Sequence, residues 1–202
     1  TTLQALLTNQ LLHAQDDESI RQASAMFDRA TESLRSNPRE QSALSTAKAL
    51  TLASVGRAKQ AEKLIDAQIA VARKEWEERG STANRLVPAK LLVAKAELNR
   101  QLDQSPLKPL AEAANLLAHE WAVQQVNDLD AIRQYLVTYR TLAITSRKSA
   151  PRSAFEHVNE VYRTLSALEK TVSKPIIRTL IESEQQELAM LLTGLKSELG
   201  NR

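Results

Sequence analysis

The stretch NPREQSALSTAKALTLASVGR, residues 37–57, carries the signals for the start and end of one helix. Asn37 can accept hydrogen bonds from the free N–H groups of a first helical turn, where Pro38 loses no needed donor. Glu40 can reach back to the Asn37 amide, as in a capping box. Gly56 provides the backbone freedom that a tight turn between antiparallel helices requires. The stretch therefore predicts a helix that begins at Pro38 and ends in a turn at Gly56.

A second helical pattern follows this turn from Arg57 to Arg79, and Gly80 is placed to end it. Ala61 is small where the second helix must approach the first closely. The two patterns together predict a helical hairpin, and the rest of the chain repeats variations of the same unit. Since a hairpin cannot bury both of its faces alone, we expect several hairpins to stack.

The composition of the whole chain also favours helix. The 202 residues are rich in Ala, Leu, Glu, Gln, Lys and Arg, with 4 Gly and 6 Pro placed mostly where a helix can begin or end. Apolar residues recur at steps of three and four throughout. We predict an all-α fold of about nine helices, in which stacked antiparallel hairpins grade into a helical bundle, with helix in well over half of the residues.

One linker, Asp103 to Pro109, divides this pattern. We therefore expect a single all-helical domain, 1–202, that can be subdivided into repeat-like hairpins at 1–103 and a C-terminal bundle at 109–202. In the second part, Pro109 is predicted to start a helix that ends near residues 127–128. Gly200 is expected just past the end of the last helix.

One further proline and the two tryptophans bear on the predicted helices. Pro88 is expected in or near the first turn of a helix, unless that helix starts at Ser81 and Pro88 kinks it. Trp76 and Trp121 occupy apolar stripes, so we expect them in the core. The first helix of the hairpin is expected to bury the stripe formed by Ala43, Ala47 and Leu50.

Charge and cysteine content limit the classes of function. The net charge of +3 comes from 27 basic and 24 acidic residues that are interspersed, whereas a nucleic-acid binder usually concentrates its positive charge. The absence of cysteine excludes disulfides and thiolate sites. No run reaches the ~20 apolar residues of a membrane span. We expect a soluble chain that binds no nucleic acid directly and inserts in no membrane, with the cytoplasm slightly favoured over the periplasm.

Residues 17–79 resemble a tetratricopeptide-type repeat. The family's small residue in the first helix, its turn glycine and the small and large residues that follow are matched by Ala49, Gly56, Ala61 and Ile65. The preceding helix carries the family's steps at Ala23, Phe27 and Ala30. Gln68 stands where a small residue is usual, and the 38 residues from Ala23 to Ala61 exceed the ~34 of the standard repeat.

Beyond residue 79 the resemblance is loose, and the long helices are similar to the extended repeats of bacterial transcription regulators of the maltose-activator type. The resemblance implies a helical-repeat fold and a habit of binding partners, but no specific ligand. Because the sequence begins at Thr1 without an initiator Met, we expect a processed protein or a segment of a longer one.

No pattern for catalysis, metals or cofactors is present in the sequence. His13, His119 and His157 each lie near one carboxylate, but none forms the two-histidine helical pair of a metal site. Four glycines form no phosphate-binding loop, and no serine lies in a nucleophile-elbow motif. We therefore predict a chain that is not an enzyme and needs no metal or cofactor.

The candidate binding residues are basic. Arg133, Arg140 and Arg147 are seven residues apart and share one helix face, and Lys148 and Arg152 lie beyond its end. Such a stripe can bind carboxylates or phosphates, which predicts an acidic partner. Alternatively, these arginines form a solvated face or pair with acids of a neighbouring helix, such as Glu156 and Glu160.

Two functions from different classes remain. The first is a non-catalytic module that binds a protein or peptide, with a scaffolding, regulatory or signalling role inside a larger bacterial-type protein. The second is a helical sensor domain of a signalling receptor or transcription regulator, which binds a small molecule between hairpins.

Overall fold

The computed structural model describes residues 2–79 and 85–200, and in these ranges all regular secondary structure is helical. Helix accounts for 83% of the structure, which confirms the all-α prediction and a helix content well above half. The ten helices of the described ranges are α1 Thr2–Leu12, α2 Asp17–Ser33, α3 Pro38–Ser54, α4 Ala58–Arg79, α5 Leu86–Gln101, α6 Leu107–Leu116, α7 His119–Gln124, α8 Leu129–Ser146, α9 Pro151–Leu168 and α10 Pro175–Gly200.

The chain forms two compact units, Thr1–Pro106 (unit 1) and Leu107–Arg202 (unit 2). The boundary between them falls inside the predicted linker. Unit 1 contains α1 to α5, and unit 2 contains α6 to α10. Gly80 and Ser81, to which the sequence assigned a helix end and an alternative helix start, lie outside the described residues.

The helix predicted from Pro109 to residues 127–128 is two helices, which is why the described chain has ten instead of about nine. α6 starts two residues before Pro109, and the chain leaves helical geometry at Ala118 (φ −59°, ψ 166°) before α7. After this break α6 packs against α8, whereas α7 packs mainly against α9 and also touches α8. The sequence around Ala118 contains no glycine or proline, and its apolar residues keep a helical spacing. The sequence therefore predicted one continuous helix here. At the other end of unit 2, Gly200 is the last residue of α10 and not the residue after it.

Of the two hydrogen bonds predicted for the capping box at the start of α3, only one is formed. The Asn37 side-chain oxygen accepts a hydrogen bond from the Glu40 backbone N–H at 3.4 Å. The reciprocal bond of a capping box is replaced, because the Asn37 N–H donates to the carbonyl oxygen of Leu34 at 2.8 Å. The preceding turn and the cap therefore share Asn37.

The end of α3 is a Schellman motif around Gly56, which has φ +79°. The Arg57 N–H donates to the Leu52 carbonyl at 2.8 Å, and the Gly56 N–H donates to the Ala53 carbonyl at 3.0 Å. A Cβ added at Gly56 would have no atom within 4 Å. The requirement for glycine at this position is therefore conformational and not steric.

We expect Gly56→Ala to lower the free energy of unfolding by about 1 kcal/mol, because an L-residue is strained at positive φ. Gly200→Ala is the matched control, since a Cβ at Gly200 also meets no atom within 4 Å and its φ is not positive. Chemical denaturation of both variants measures the difference. Equal stability of Gly56→Ala and the wild type would contradict the assignment of the strain to Gly56.

α5 ends in the same motif without glycine. Asp103 occupies the left-handed position with φ +54°, and the Gln104 N–H donates to the Asn99 carbonyl at 2.7 Å. The Asn99 side-chain amide also donates to the Ser105 carbonyl at 3.1 Å, so the end of α5 holds the first part of the linker.

We expect Asp103→Gly to raise the free energy of unfolding by up to about 1 kcal/mol, because glycine adopts this backbone conformation without strain. Asp103→Asn is the control for the unfavourable negative charge near a helix C-terminus. Thermal and urea unfolding should show a larger gain for glycine than for asparagine. A gain that is equal for both would assign the effect to charge alone.

α3 is the central helix of unit 1, because α1, α2, α4 and α5 all pack against it. The predicted stripe is wrong for this helix, since Ala43 is exposed and Ala47 and Leu50 are half-buried. A helix that is covered on several sides has no single apolar face. The residues of α3 that are buried instead include polar ones: Ser42, Leu44, Ser45, Lys48, Ala49, Thr51 and Leu52.

Lys48 shows how this core tolerates a charge. Its side chain is almost wholly buried, and its Nζ lies 2.6 Å from Oδ1 of Asp28, a residue at the surface of α2. The aliphatic part of the lysine therefore contributes to the core while the ammonium group reaches a carboxylate at the edge.

Trp121 is buried in unit 2, as predicted, but Trp76 of unit 1 is only half-buried. The guanidinium carbon of Arg85 lies 5.6 Å from the centre of the Trp76 ring, which is a cation–π distance. Pro88 is the third residue of α5, within its first turn, as the sequence predicted.

Candidate functional site

The arginine stripe lies on α8 of unit 2. Asp128 caps this helix, because its side-chain oxygen accepts hydrogen bonds from the N–H groups of Asp130 and Ala131 at 3.0 and 3.1 Å. Arg133 and Arg140 lie within α8, and Arg147 is the residue that follows its last turn. Successive arginines are therefore about 10 Å apart along the helix axis.

Two exposed apolar residues alternate with these arginines. Val137 and Ile144 stand between them, so that the face reads Arg133, Val137, Arg140, Ile144 and Arg147 at steps of four and three. This spacing keeps all five on one side of the helix. The opposite side of α8 is buried and contains Ile132, Tyr135, Tyr139 and Leu142.

Glutamates of α10 face this stripe. Nη2 of Arg140 lies 2.6 Å from Glu187, and its Nη1 lies 3.6 Å from Glu184. Nε of Arg147 donates to both carboxylate oxygens of Glu198 at 3.1 Å, and its Nη2 also contacts that carboxylate. The later arginine pairs with the later glutamate, so α8 and α10 run in the same direction. The acids are on α10, and not at Glu156 or Glu160 of α9.

The other predicted basic residues have different surroundings. Within the described residues, Arg133 and Lys148 have no hydrogen-bond or ion-pair partner, and both are exposed. Arg133 borders a hollow of about 480 Å³ whose lining also includes Lys174 and the two aspartates at the start of α8, Asp128 and Asp130. Arg152 forms an exposed pair with Glu156 on its own helix, at 3.3 Å. Two arginines of the stripe, Arg140 and Arg147, therefore form ion pairs with α10. An exposed cation lies at each end of the stripe, Arg133 at the start and Lys148 after its last arginine.

A groove of about 310 Å³ lies between the two helices. We call it the α8–α10 groove, and it is lined by Arg140, Ile144, Glu187, Leu188, Met190 and Leu191. Its lining joins apolar side chains with an Arg–Glu pair. α9 packs against both α8 and α10 and thereby holds the two walls in place.

The exposed apolar residues of unit 2 are concentrated on these two helices. In the described part of unit 2, the large apolar side chains that remain exposed are Val123, Val137, Ile144, Ile176 and Met190. Four of them belong to α8 or α10, with exposed fractions of 49% for Val137, 56% for Ile144, 61% for Ile176 and 69% for Met190. Two of these four, Ile144 and Met190, line the α8–α10 groove beside an Arg–Glu pair, and exposed apolar surface with a polar rim is typical of interaction sites.

Of the α10 glutamates that face the stripe, Glu184 has the longest ion-pair distance, 3.6 Å to Arg140. Burial raises the pKa of its carboxyl group, and the negative charge of Glu187 raises it further, although Arg140 acts in the opposite direction. Arg140 is also closer to Glu187 than to Glu184. We therefore regard Glu187 as the main partner of Arg140.

Glu184→Gln should raise the melting temperature at pH 7, because a carboxyl group with a raised pKa in the folded state is penalised there when ionised. As the pH falls through this raised pKa, the wild-type carboxyl becomes protonated and the advantage of the variant should shrink. Glu187→Gln is the control and should not be stabilising, because it removes the closer partner of Arg140. Melting curves from pH 4 to 8 would contradict this account if Glu184→Gln were destabilising at pH 7.

A second hollow in unit 2, of about 400 Å³, is lined by His119, Glu156, Asn159, Glu160, Arg163 and Thr164. Thr164 connects this hollow to the core, because its hydroxyl oxygen lies 2.7 Å from Nδ1 of His119 and accepts a hydrogen bond from Tyr135 at 3.0 Å. The threonine hydroxyl in turn donates to the carbonyl of Glu160 at 3.0 Å. Burial raises the pKa of the Tyr135 hydroxyl, which therefore remains a donor.

A hollow in unit 1, of about 420 Å³, is lined by residues of α2 and of the start of α4. Its charged groups are already paired, since Arg57 contacts Asp17, Arg21 contacts Glu18, and Asp28 holds Lys48. Its lining contains one large apolar residue, Ile20. This hollow therefore offers less for a partner than the α8–α10 groove.

The three histidines do not converge. His13 follows α1, His119 begins α7, and His157 lies in α9, where its Nε2 is 3.2 Å from the Ser153 hydroxyl. In the part of the chain that the structure describes, no three His, Asp or Glu residues form a cluster that could hold a metal ion.

The sequence identified one wall of the groove and missed the other. The seven-residue spacing of the arginines was visible, but the apolar residues between them, Val137 and Ile144, were not recognised as part of the same face. The opposite wall, with Glu187, Met190 and Glu198, looked like the ordinary polar side of an amphipathic helix. A search for exposed apolar residues at steps of three and four between charges would have found both walls.

Across residues 2–79 and 85–200, no helix is long and apolar enough to span a lipid bilayer. Comparison with known proteins finds no family model, no curated protein and no solved structure that matches this chain.

Proposed function

We propose that this chain is a non-catalytic protein-binding module, and that its binding surface is the α8–α10 groove together with the arginine stripe. The observation that carries the proposal is that four of the five exposed large apolar side chains described in unit 2 belong to α8 and α10, and two of them, Ile144 and Met190, line this groove. Leaving such side chains in water costs free energy that a partner recovers when it covers them. Met190 is also flexible and can adapt to the shape of a partner.

The charges of the stripe favour a partner that carries carboxylates. Arg133 and Lys148 have no partner among the described residues, and Arg140 remains 44% exposed while it holds Glu187. A guanidinium group has five donors in a planar fork, so Arg140 can bind a partner's carboxylate in addition to Glu187 and the more distant Glu184. The partner that fits is a protein segment with large apolar side chains next to acidic ones.

The arrangement of unit 1 supports the repeat-like resemblance of residues 17–79. α3 packs against both α1 and α5, which are the first helices of the preceding and the following pair, and stacked hairpins make contacts of this kind. We propose that unit 1 is a scaffold of this kind, in a longer regulatory protein of bacterial type as the resemblance implies. It would carry unit 2 and its groove.

A photoreactive amino acid at position 190 should cross-link to a partner in cell extract, whereas the same group at position 71 should not. Val71 is the matched control because it is exposed, apolar and located in unit 1. The cross-linked peptide, sequenced by mass spectrometry, should contain acidic and large apolar residues, and its yield should fall as salt rises. Equal labelling from both positions would contradict the proposal.

Single substitutions separate binding from stability. Arg133→Gln should weaken partner binding without changing the melting temperature, because Arg133 stabilises no neighbour among the described residues. Arg147→Gln should also lower the melting temperature, since it breaks the pair with Glu198. Unchanged partner binding in Arg133→Gln would remove this arginine from the binding surface.

A second candidate function is the binding of a small polar molecule in the hollow beside His119. The observation that favours it is the hydrogen-bonded path from His119 through Thr164 to the buried Tyr135, which could transmit occupancy of the hollow to the core. A shift of the melting temperature with a small metabolite, abolished by Thr164→Val, would support this function over the first.

A further inference from the structure

The hollow beside His119 contains two opposite charges that have no partner within the protein. Of its charged side chains, Glu156 forms an ion pair with Arg152 of the same helix, at 3.3 Å. Glu160 and Arg163 are both exposed, and among the described residues the side chain of neither one has a hydrogen bond or an ion pair. The hollow therefore offers one carboxylate and one guanidinium group to a ligand.

Two further side chains of this hollow have unused hydrogen-bonding capacity. Nδ1 of His119 lies 2.7 Å from the Thr164 hydroxyl, and its Nε2 has no partner in the part of the chain that the structure describes. The half-buried side chain of Asn159 also forms no hydrogen bond there. Because an amide group both donates and accepts, Asn159 can pair with a hydroxyl or an amide of a ligand.

The spacing of the two unpaired charges limits the ligand. Glu160 and Arg163 are three residues apart on α9, and residues at this spacing are neighbours on a helix surface, with Cβ atoms about 5–6 Å apart. A ligand that pairs with both must carry a cation and an anion close together. The ammonium and carboxylate groups of an α-amino acid are attached to one carbon atom and meet this requirement.

The size and lining of the hollow limit the rest of the ligand. Its volume of about 400 Å³ lies in the range of small-molecule sites, where a few polar groups fix the orientation of the ligand. All the residues that line it are polar or charged. A ligand with a large apolar side chain would therefore gain little from burial here, whereas an uncharged polar side chain would find partners.

We propose that this hollow binds a free α-amino acid with an uncharged polar side chain. The carboxylate of the ligand pairs with Arg163, and its ammonium group pairs with Glu160. The side chain of the ligand lies towards Asn159 and His119. This inference rests on the second candidate function and names the class of ligand.

The test titrates the full chain with L-glutamine and with three matched compounds, by isothermal titration calorimetry. In L-glutamine amide, a neutral carboxamide replaces the α-carboxylate. Glutaramic acid lacks the α-ammonium group and keeps the rest of the molecule. L-leucine keeps both charges and replaces the polar side chain by an apolar one.

We expect L-glutamine to bind saturably at one site, and each matched compound to bind at least ~10-fold more weakly. Arg163→Gln and Glu160→Gln should each weaken L-glutamine by a similar factor. The control variants are Arg133→Gln and Glu182→Gln, which change exposed residues of unit 2 outside this hollow and should leave binding unchanged.

Combining variants with ligands separates direct contact from a general loss of structure. Arg163→Gln should not further weaken L-glutamine amide, because this compound has no carboxylate to lose. Glu160→Gln should likewise not further weaken glutaramic acid. Melting curves establish that both variants remain folded.

Each contrary result overturns a stated part of the inference. Equal binding of L-glutamine and its two singly charged analogues would refute a zwitterionic ligand, and equal binding of L-leucine would refute the polar side chain. Unchanged binding in Arg163→Gln and Glu160→Gln would place the amino acid elsewhere. If no amino acid binds but another small metabolite shifts the melting temperature in a manner that Thr164→Val abolishes, the ligand class is refuted and the second candidate function stands. If no small molecule binds, both are refuted.

Discussion

The packing of α9 between α8 and α10 is the constraint on which the groove depends. α9 buries Val158, Val161, Leu165 and Leu168, and it contacts α8 and α10. Because the two outer helices are held by a shared neighbour, they reach each other through arginine and glutamate side chains. The ion pairs therefore bridge a space that apolar packing does not close. Exposed Ile144 and Met190 are a consequence of this spacing and not of a poorly formed core.

The helical fold could be predicted because apolar periodicity, helix formers and end signals agree along most of the chain. The Gly56 turn is the clearest example, because its φ of +79° is a backbone conformation that favours glycine. The prediction failed where tertiary packing overrides local pattern. α3 is covered by four helices, so its buried residues follow no single stripe. The break at Ala118 has no breaker residue, and it separates α6, which packs on α8, from α7, which packs mainly on α9.

Only one of the two helices that form the candidate site could be predicted from the sequence, for a related reason. A sequence shows which residues share a face of one helix, but it does not show which helix that face meets. The spacing of Arg133, Arg140 and Arg147 was therefore recognisable, whereas their partners on α10 could not be assigned. The acids first considered, Glu156 and Glu160, are nearer in sequence, and only the arrangement of three helices places Glu187 and Glu198 opposite the arginines.

The buried lysine of unit 1 has a consequence for how this protein can change in evolution. Lys48 fills core volume with its aliphatic stem and depends on Asp28 for its charge. Loss of Asp28 alone would leave a buried ammonium group without its carboxylate, whereas loss of Lys48 alone would leave a gap in the core. Replacement of both, with methionine at position 48, would cost little. Among relatives of this chain, positions 28 and 48 should therefore vary together, and a neutral residue at 28 should accompany an apolar one at 48.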